Sequence, residues 1–168
     1  MHAVTSSTSF HFTHLYLSNL TTRENFDTFV DRCPHIKILG VNIYSSDLAS
    51  TISPAVSRWP KLQEVICSNV ALNMDAISYL SSLSNLRRLE FKTEIDSTQG
   101  ISHLDSKLVF SNLTNVNIKS RSLDAIASLL RFYIRLPAIK SLYVNTSWYI
   151  SRPAIQACLA AILRFYPG

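Results

Sequence analysis

Glycine is nearly missing from this chain, with three residues in 168. Folds that cradle phosphate on glycine-rich turns are therefore set aside. Cysteine is sparse too. Cys33, Cys67 and Cys158 are odd in number, widely separated and form no CxxC pair. That argues against a disulfide framework or a zinc cluster and fits a reducing compartment. No apolar run approaches the roughly 18 residues of a membrane span, so none is expected. Residues 1–7 carry no basic start and no apolar stretch of signal-peptide length. Charge is thin, at 16% of the chain, and the 16 basic residues are scattered, with Arg87-Arg88 the only adjacent pair. Nucleic-acid binding calls for a denser basic stripe than a net charge of +5 spread this way. The expected location is the cytoplasm or nucleus.

What the chain does have is apolar residues, at 47%, enough to bury a core and too many for a disordered chain. They recur in a pattern. In Leu86-x-x-Leu89-x-Phe91 the apolar positions are the first, fourth and sixth. The last two alternate with polar residues at the two-residue period of a half-buried strand. Phe12, Leu15 and Leu17 repeat the trio, as do Ile36, Leu39 and Val41, then Leu62, Val65 and Cys67. Leu113, Val116 and Ile118 make a fifth copy, and Ile139, Leu142 and Val144 a sixth. The period of roughly 24 to 27 residues suits a repeated strand-plus-helix unit.

Between the strands the period shifts towards that of a helix. Thr21 and Glu24 resemble a capping box, ahead of Phe26, Phe29 and Val30 on one face. Leu48, Ile52 and Val56 form a second face, interrupted by Pro54, which would fit best in the first turn of a short second piece. Trp59 is expected to pack beneath the third strand. Asn73 caps a third helix with Ile77, Leu80 and Leu83 inward. Residues 96–107 predict a short turn or loop anchored by Ile101 and Leu104, with Val109 and Phe110 leading to the fifth strand. Ser122 caps a helix with Ile126, Leu129, Leu130 and Tyr133 inward. Ser151 and Pro153 start a last helix, with Ile155, Leu159, Ile162 and Leu163 as its apolar face.

One such unit cannot bury both its strand and its helix, but stacked units can. The expected fold is α/β: a solenoid of about six strand-plus-helix units, parallel strands on one face and helices on the other. A doubly wound sheet is the alternative. It is disfavoured because its central strands, buried on both faces, would read as more continuously apolar. Residues 1–9 form a loose N-terminal segment and residues 10–168 the repeat domain.

The spacing resembles a leucine-rich-repeat protein. The phrases Trp59-Pro60-Lys61-Leu62, Leu83-Ser84-Asn85-Leu86-Arg87-Arg88-Leu89 and Phe110-Ser111-Asn112-Leu113 are similar to the divergent repeats that follow the F-box in fungal F-box proteins. The usual asparagine or cysteine three residues after the trio is replaced by Leu20, Tyr44, Val70, Glu94, Arg121 and Ser147. The resemblance implies substrate recognition for ubiquitin ligation, by a chain truncated at one or both ends and without a visible F-box. No cofactor is implied.

If the trio points inward, positions three, five and seven of each unit face outward. The candidate partner-binding residues on that face are His14, Tyr16, Ile38, Asn42, Glu64, Ile66, Arg88, Glu90, Lys92, Asn117, Lys119, Tyr143 and Asn145. Tyr16 and Tyr143 offer aromatic anchors near opposite ends. Arg88, Lys92 and Lys119 make a basic centre, tempered by Glu64 and Glu90, that suits an acidic or phosphorylated peptide or protein. Ile38 and Ile66 read as exposed isoleucines in want of cover. Uncapped ends at Phe10, Phe12 and the last helix would favour a homodimer. The alternatives are a structural repeat fragment without binding function and, further off, a small hydrolase. The histidines include no HxxxH pair, and no cysteine has a neighbouring base.

Overall fold

The computed structural model describes residues 10–18, 23–43, 46–93, 107–146 and 152–164. The expectations for residues 1–9, for Thr21 and for residues 94–106, with Ile101 and Leu104, lie outside the described residues.

Strands and helices alternate. In chain order they are β1 (His14–Ser18), α1 (Arg23–Arg32), β2 (Ile38–Asn42), α2 (Ser46–Val56), β3 (Glu64–Ala71), α3 (Met74–Ser82) and β4 (Arg88–Thr93). Then follow β5 (Leu108–Val109), β6 (Asn115–Ser120), α4 (Leu123–Ser128), a π-helical turn (Leu129–Tyr133), β7 (Ile134–Arg135), β8 (Ser141–Thr146) and α5 (Arg152–Ile162). Six strands form one parallel sheet in the order β1-β2-β3-β4-β6-β8. Spatial order equals chain order, with no reversal. That excludes the doubly wound alternative, whose strand order turns back at a switch point. Parallel crossovers that always step in one direction and keep the usual right hand all lie on one side of the sheet. The helices pack there in sequence, α1 on α2, α2 on α3 and α4 on α5.

The register makes the repeat explicit. Leu15, Leu39, Val65, Leu89, Val116 and Leu142 are neighbours across the sheet, and so are Leu17, Val41, Cys67, Phe91, Ile118 and Val144. One residue after each trio begins, the chain makes an equivalent bond. Lys37 N donates to Thr13 O, Gln63 N to Lys37 O, Arg87 N to Gln63 O, Thr114 N to Arg87 O and Lys140 N to Thr114 O, at 2.7–2.9 Å. The trio thus enters the core shared with the helices, where Ile36, Leu39, Leu62, Val65, Leu86 and Leu89 are fully or almost fully buried. The two ends differ. Phe12, the first residue of the first trio, is exposed. Leu142 and Val144 on the last strand are only half-buried. An end strand has one neighbour instead of two, so the same side chain gains less cover.

Several local readings agree with the structure. Asn73 Oδ1 accepts from Ala76 N at 2.9 Å, and Ser122 Oγ accepts from Ala125 N at 3.3 Å, so both residues cap as their types favour. Trp59 is completely buried and meets Phe26 edge-on, with 6.4 Å between ring centroids. Leu83 and Tyr133 keep the inward places expected of them, half-buried and packed against the core. Others are corrected. Pro54 lies inside α2, not at the start of a second piece. It falls near the C-terminal end, beyond the first turn where a helix has no use for the N–H that proline lacks, and Ser57 Oγ donates to its carbonyl at 2.6 Å. The α5 face is also corrected. Ala154, Cys158 and Ala161 point inward, while Ile155, Leu159 and Leu163 are exposed and Ile162 is half-buried. α5 carries two stripes at helical spacing, and the stripe of smaller residues packs against the core.

The six-unit description omits one feature. β5 and β7 pair in parallel as a small second sheet. Each starts five residues before the first residue of a trio, Leu108 before Leu113 and Ile134 before Ile139. Two-residue strands are too short to show a period in sequence.

Candidate functional site

Among the described residues, the crossovers leave the opposite face of the six-stranded sheet without helical cover. Its outward residues form rows fixed by the register. His14, Ile38, Glu64, Arg88, Asn115 and Ser141 make the first, and Tyr16, Gly40, Ile66, Glu90, Asn117 and Tyr143 the second. The third runs from Ser18 through Asn42 and, on the far side, from Lys92 through Lys119 to Asn145. It is broken in the middle, because the pairing of β3 with β4 jumps from Cys67 opposite Phe91 to Ala71 opposite Lys92. The bulge turns Ser68 towards Glu90 and sets Asn69 against Asn42, whose Oδ1 accepts from Asn69 Nδ2 at 2.7 Å.

Along the second row the side chains differ sharply in exposure. Tyr16 and Tyr143 stand 68% and 65% exposed near the two ends. Gly40 leaves the space that the Tyr16 ring occupies, since a Cβ there would collide with the Tyr16 ring carbons. Glu90, expected on the surface, is 8% exposed. Ser68 Oγ donates to Glu90 Oε1 at 2.6 Å and Lys119 Nζ donates to the same oxygen at 2.9 Å. Burial pushes the Glu90 carboxyl up, but the bonds from Ser68 and Lys119 and the charges of Lys119 and Arg88 outweigh it, leaving the group below its ordinary value. The expected basic centre is corrected accordingly: Lys119 is committed to Glu90. Lys92, its neighbour in register, is half-buried, and Arg88 is exposed. Ile38 and Ile66 are half-buried, not bare, because they lie between neighbours in the middle of their rows.

A recess of about 470 Å³ opens on this face over Arg88, Glu90, Asn115, Asn117 and Tyr143. Asn117 sits between Glu90 and Tyr143 in register. Its Oδ1 is buried with no hydrogen-bond partner among the described residues. A buried acceptor left unpaired costs free energy until a donor reaches it. The recess therefore presents an exposed guanidinium, a carboxylate already held in place, an unused acceptor and an exposed phenol. Sequence parity placed these residues on one face. It gave no sign that Glu90 is buried or that Asn117 is unsatisfied. Of the other candidates, His14 is exposed, with Nδ1 2.8 Å from Thr13 Oγ1, and Asn145 is exposed at the end of its row.

The remaining chemistry is sparse among the described residues. The three thiols are free and buried. Burial, and secondarily the Glu90 charge, pushes Cys67 up to about 12, and burial raises Cys33 and Cys158. These groups stay protonated near neutral pH and are poor nucleophiles. No group of three or more possible metal ligands occurs among the described residues, and no helix there is long and apolar enough to cross a membrane. His11 stacks on His35 with ring centroids 5.3 Å apart, and Lys61 Nζ lies 3.4 Å from His35 Nδ1. Compared with known proteins, the chain matches no family model, no curated protein and no solved structure.

Proposed function

We propose that the chain is a protein-recognition module that holds an acidic or phosphorylated peptide segment across the uncovered sheet face, without catalysing a reaction. The observation that carries this reading is the recess itself. Arg88 supplies an exposed cation, Asn117 Oδ1 needs a donor, and Tyr143 gives a large exposed ring at the same mouth. A peptide can meet all three, with its acidic group at Arg88 and an N–H at Asn117. Glu90 is no obstacle to an acidic guest, because Ser68 and Lys119 already occupy it.

The finer fold in this proposal is a leucine-rich-repeat solenoid. It is supported by the unbroken strand order, the matched trios and the repeated bond after each trio's first residue. Val70, at a place where that family carries asparagine or cysteine, is a fully buried apolar residue, so this unit departs from the usual pattern there. The wider proposal is that the guest is a substrate for ubiquitin ligation and the chain the substrate-binding part of an F-box-type adaptor in the cytoplasm or nucleus.

The test is a crosslinking pull-down comparing the native chain with a Tyr16→Ala, Arg88→Ala, Tyr143→Ala variant whose fold is checked by circular dichroism. All three side chains are exposed, so the fold should survive. The expected result is a specific partner held by the native chain and lost by the variant. Recovery of the same partners by both chains would remove the sheet face as the site and leave the structural-repeat reading ahead.

Self-association is a second reading, favoured by apolar side chains at both ends. Phe10 and Phe12 are exposed at one, and Ile155, Leu159 and Leu163 at the other. Equilibrium sedimentation should show a mass that rises with concentration and falls back in Leu159→Lys. A constant monomer mass would reject it.

A further inference from the structure

A second recess, of about 510 Å³, lies away from the sheet-face site, beside β7. Its lining includes Leu130, Ile134 and Leu136, all buried members of the core, so its floor is apolar and firmly backed. Lys107, Arg131, Arg135 and Arg164 also line it, all four exposed, and none of the described lining residues is a carboxylate. Among the described residues the four side chains make one hydrogen bond, and it is a long one. Lys107 Nζ donates to the Arg131 carbonyl at 3.5 Å, and the Arg131 guanidinium otherwise rests 5.0 Å over the Phe132 ring. None of the four is paired with an acid among the described residues.

Four cations around one depression repel each other, and an anion among them relieves that repulsion. The floor asks for something different, an apolar body that displaces water from Ile134 and Leu136. The volume falls within the range of small-molecule pockets, about 300–1,000 Å³. We propose that this recess binds a small amphiphilic anion, an alkyl or aryl group ending in a phosphate or carboxylate. The anionic end meets Arg135 and Arg164, whose guanidinium forks match such oxygens. The apolar part lies on Ile134 and Leu136.

Calorimetric titration of the full chain with octyl phosphate, below its micelle-forming concentration, tests this. Octanoate, inorganic phosphate and octyl glucoside serve as comparison probes. Octyl phosphate should saturate at one site, with inorganic phosphate and octyl glucoside each at least about tenfold weaker, since each lacks one half of the contact. Octanoate decides which anionic head is preferred. The Arg135→Gln, Arg164→Gln variant should bind octyl phosphate at least about tenfold more weakly. Both side chains are exposed, and circular dichroism confirms the fold. The Ile134 and Leu136 methyl resonances should shift with octyl phosphate in the native chain. Absence of saturation, equal binding of octyl glucoside or inorganic phosphate, or undiminished binding by the variant would each overturn the proposal. None of these outcomes bears on the sheet-face site.

Discussion

Replacing Trp59 by alanine should cost about 4 kcal/mol of folding stability, read from urea denaturation, because truncating a fully buried Trp typically removes about 3–5 kcal/mol. That is a large part of the roughly 5–15 kcal/mol that holds a domain folded. Trp59 is wholly buried, just after α2, where Trp59 N donates to Val56 O at 3.2 Å. Its ring meets Phe26 of α1 at an interplanar angle of 81°, joining the first two crossovers below the sheet. Alanine would leave a cavity between units that depend on each other for cover. Trp59→Phe should behave differently. Trp59 Nε1 is buried with no partner among the described residues, and such a group costs about 1–3 kcal/mol. Phenylalanine removes that burden and keeps an aromatic ring against Phe26, so its loss should be less than half that of alanine. Equal losses for the two variants would show that the indole N–H is satisfied in solution.

Lys119→Met should destabilise the protein by about 2–3 kcal/mol at neutral pH, somewhat less than the roughly 3–5 kcal/mol for breaking a deeply buried pair. Lys119 keeps 29% of its side chain exposed, which tempers the effect, but Glu90 keeps only 11%. Methionine leaves that carboxylate with Ser68 as its remaining hydrogen-bond donor. Glu90→Gln, Lys119→Met, which removes both charges, should recover at least half of the loss. The pH dependence has a definite sign. In the folded chain the Glu90 carboxyl titrates below its ordinary 4.5. Its contribution is therefore fully present above pH 4.5 and fades as pH falls through the lower, folded value. The gap between native and Lys119→Met should accordingly be widest near neutrality and shrink in acid, where Glu90 is protonated in both. A gap that stays constant down to pH 3 would show that Lys119 acts through packing of its stem instead.

Much of this architecture is legible from local sequence. A strand alternates its side chains with a period of two, and a repeated unit must repeat its core positions. The trios therefore identify six strands and their inward residues before any contact is known. The same parity puts Arg88, Glu90, Asn117 and Tyr143 on one face. Asn73 and Ser122 can be read as caps because capping depends on a residue and the amide three places on. The α5 face cannot be read this way. Ala154, Cys158 and Ala161 compete at helical spacing with Ile155, Leu159 and Leu163, and hydrophobicity alone favours the wrong stripe. How close the helix approaches its neighbour selects the smaller residues.

The sequence by itself determined the alternation of strand and helix, the spacing of the repeat and the side of the sheet each strand residue faces, because these follow from backbone geometry within a few residues. Only the tertiary structure decided how those residues behave once there. Glu90 is buried because the β3 bulge brings Ser68 from 22 residues away and β6 brings Lys119 from 29. The basic recess joins Lys107, Arg131, Arg135 and Arg164, scattered along the chain, through the pairing of two strands of two residues each. Desolvation and charge coupling act through space, and spacing along the chain does not encode them.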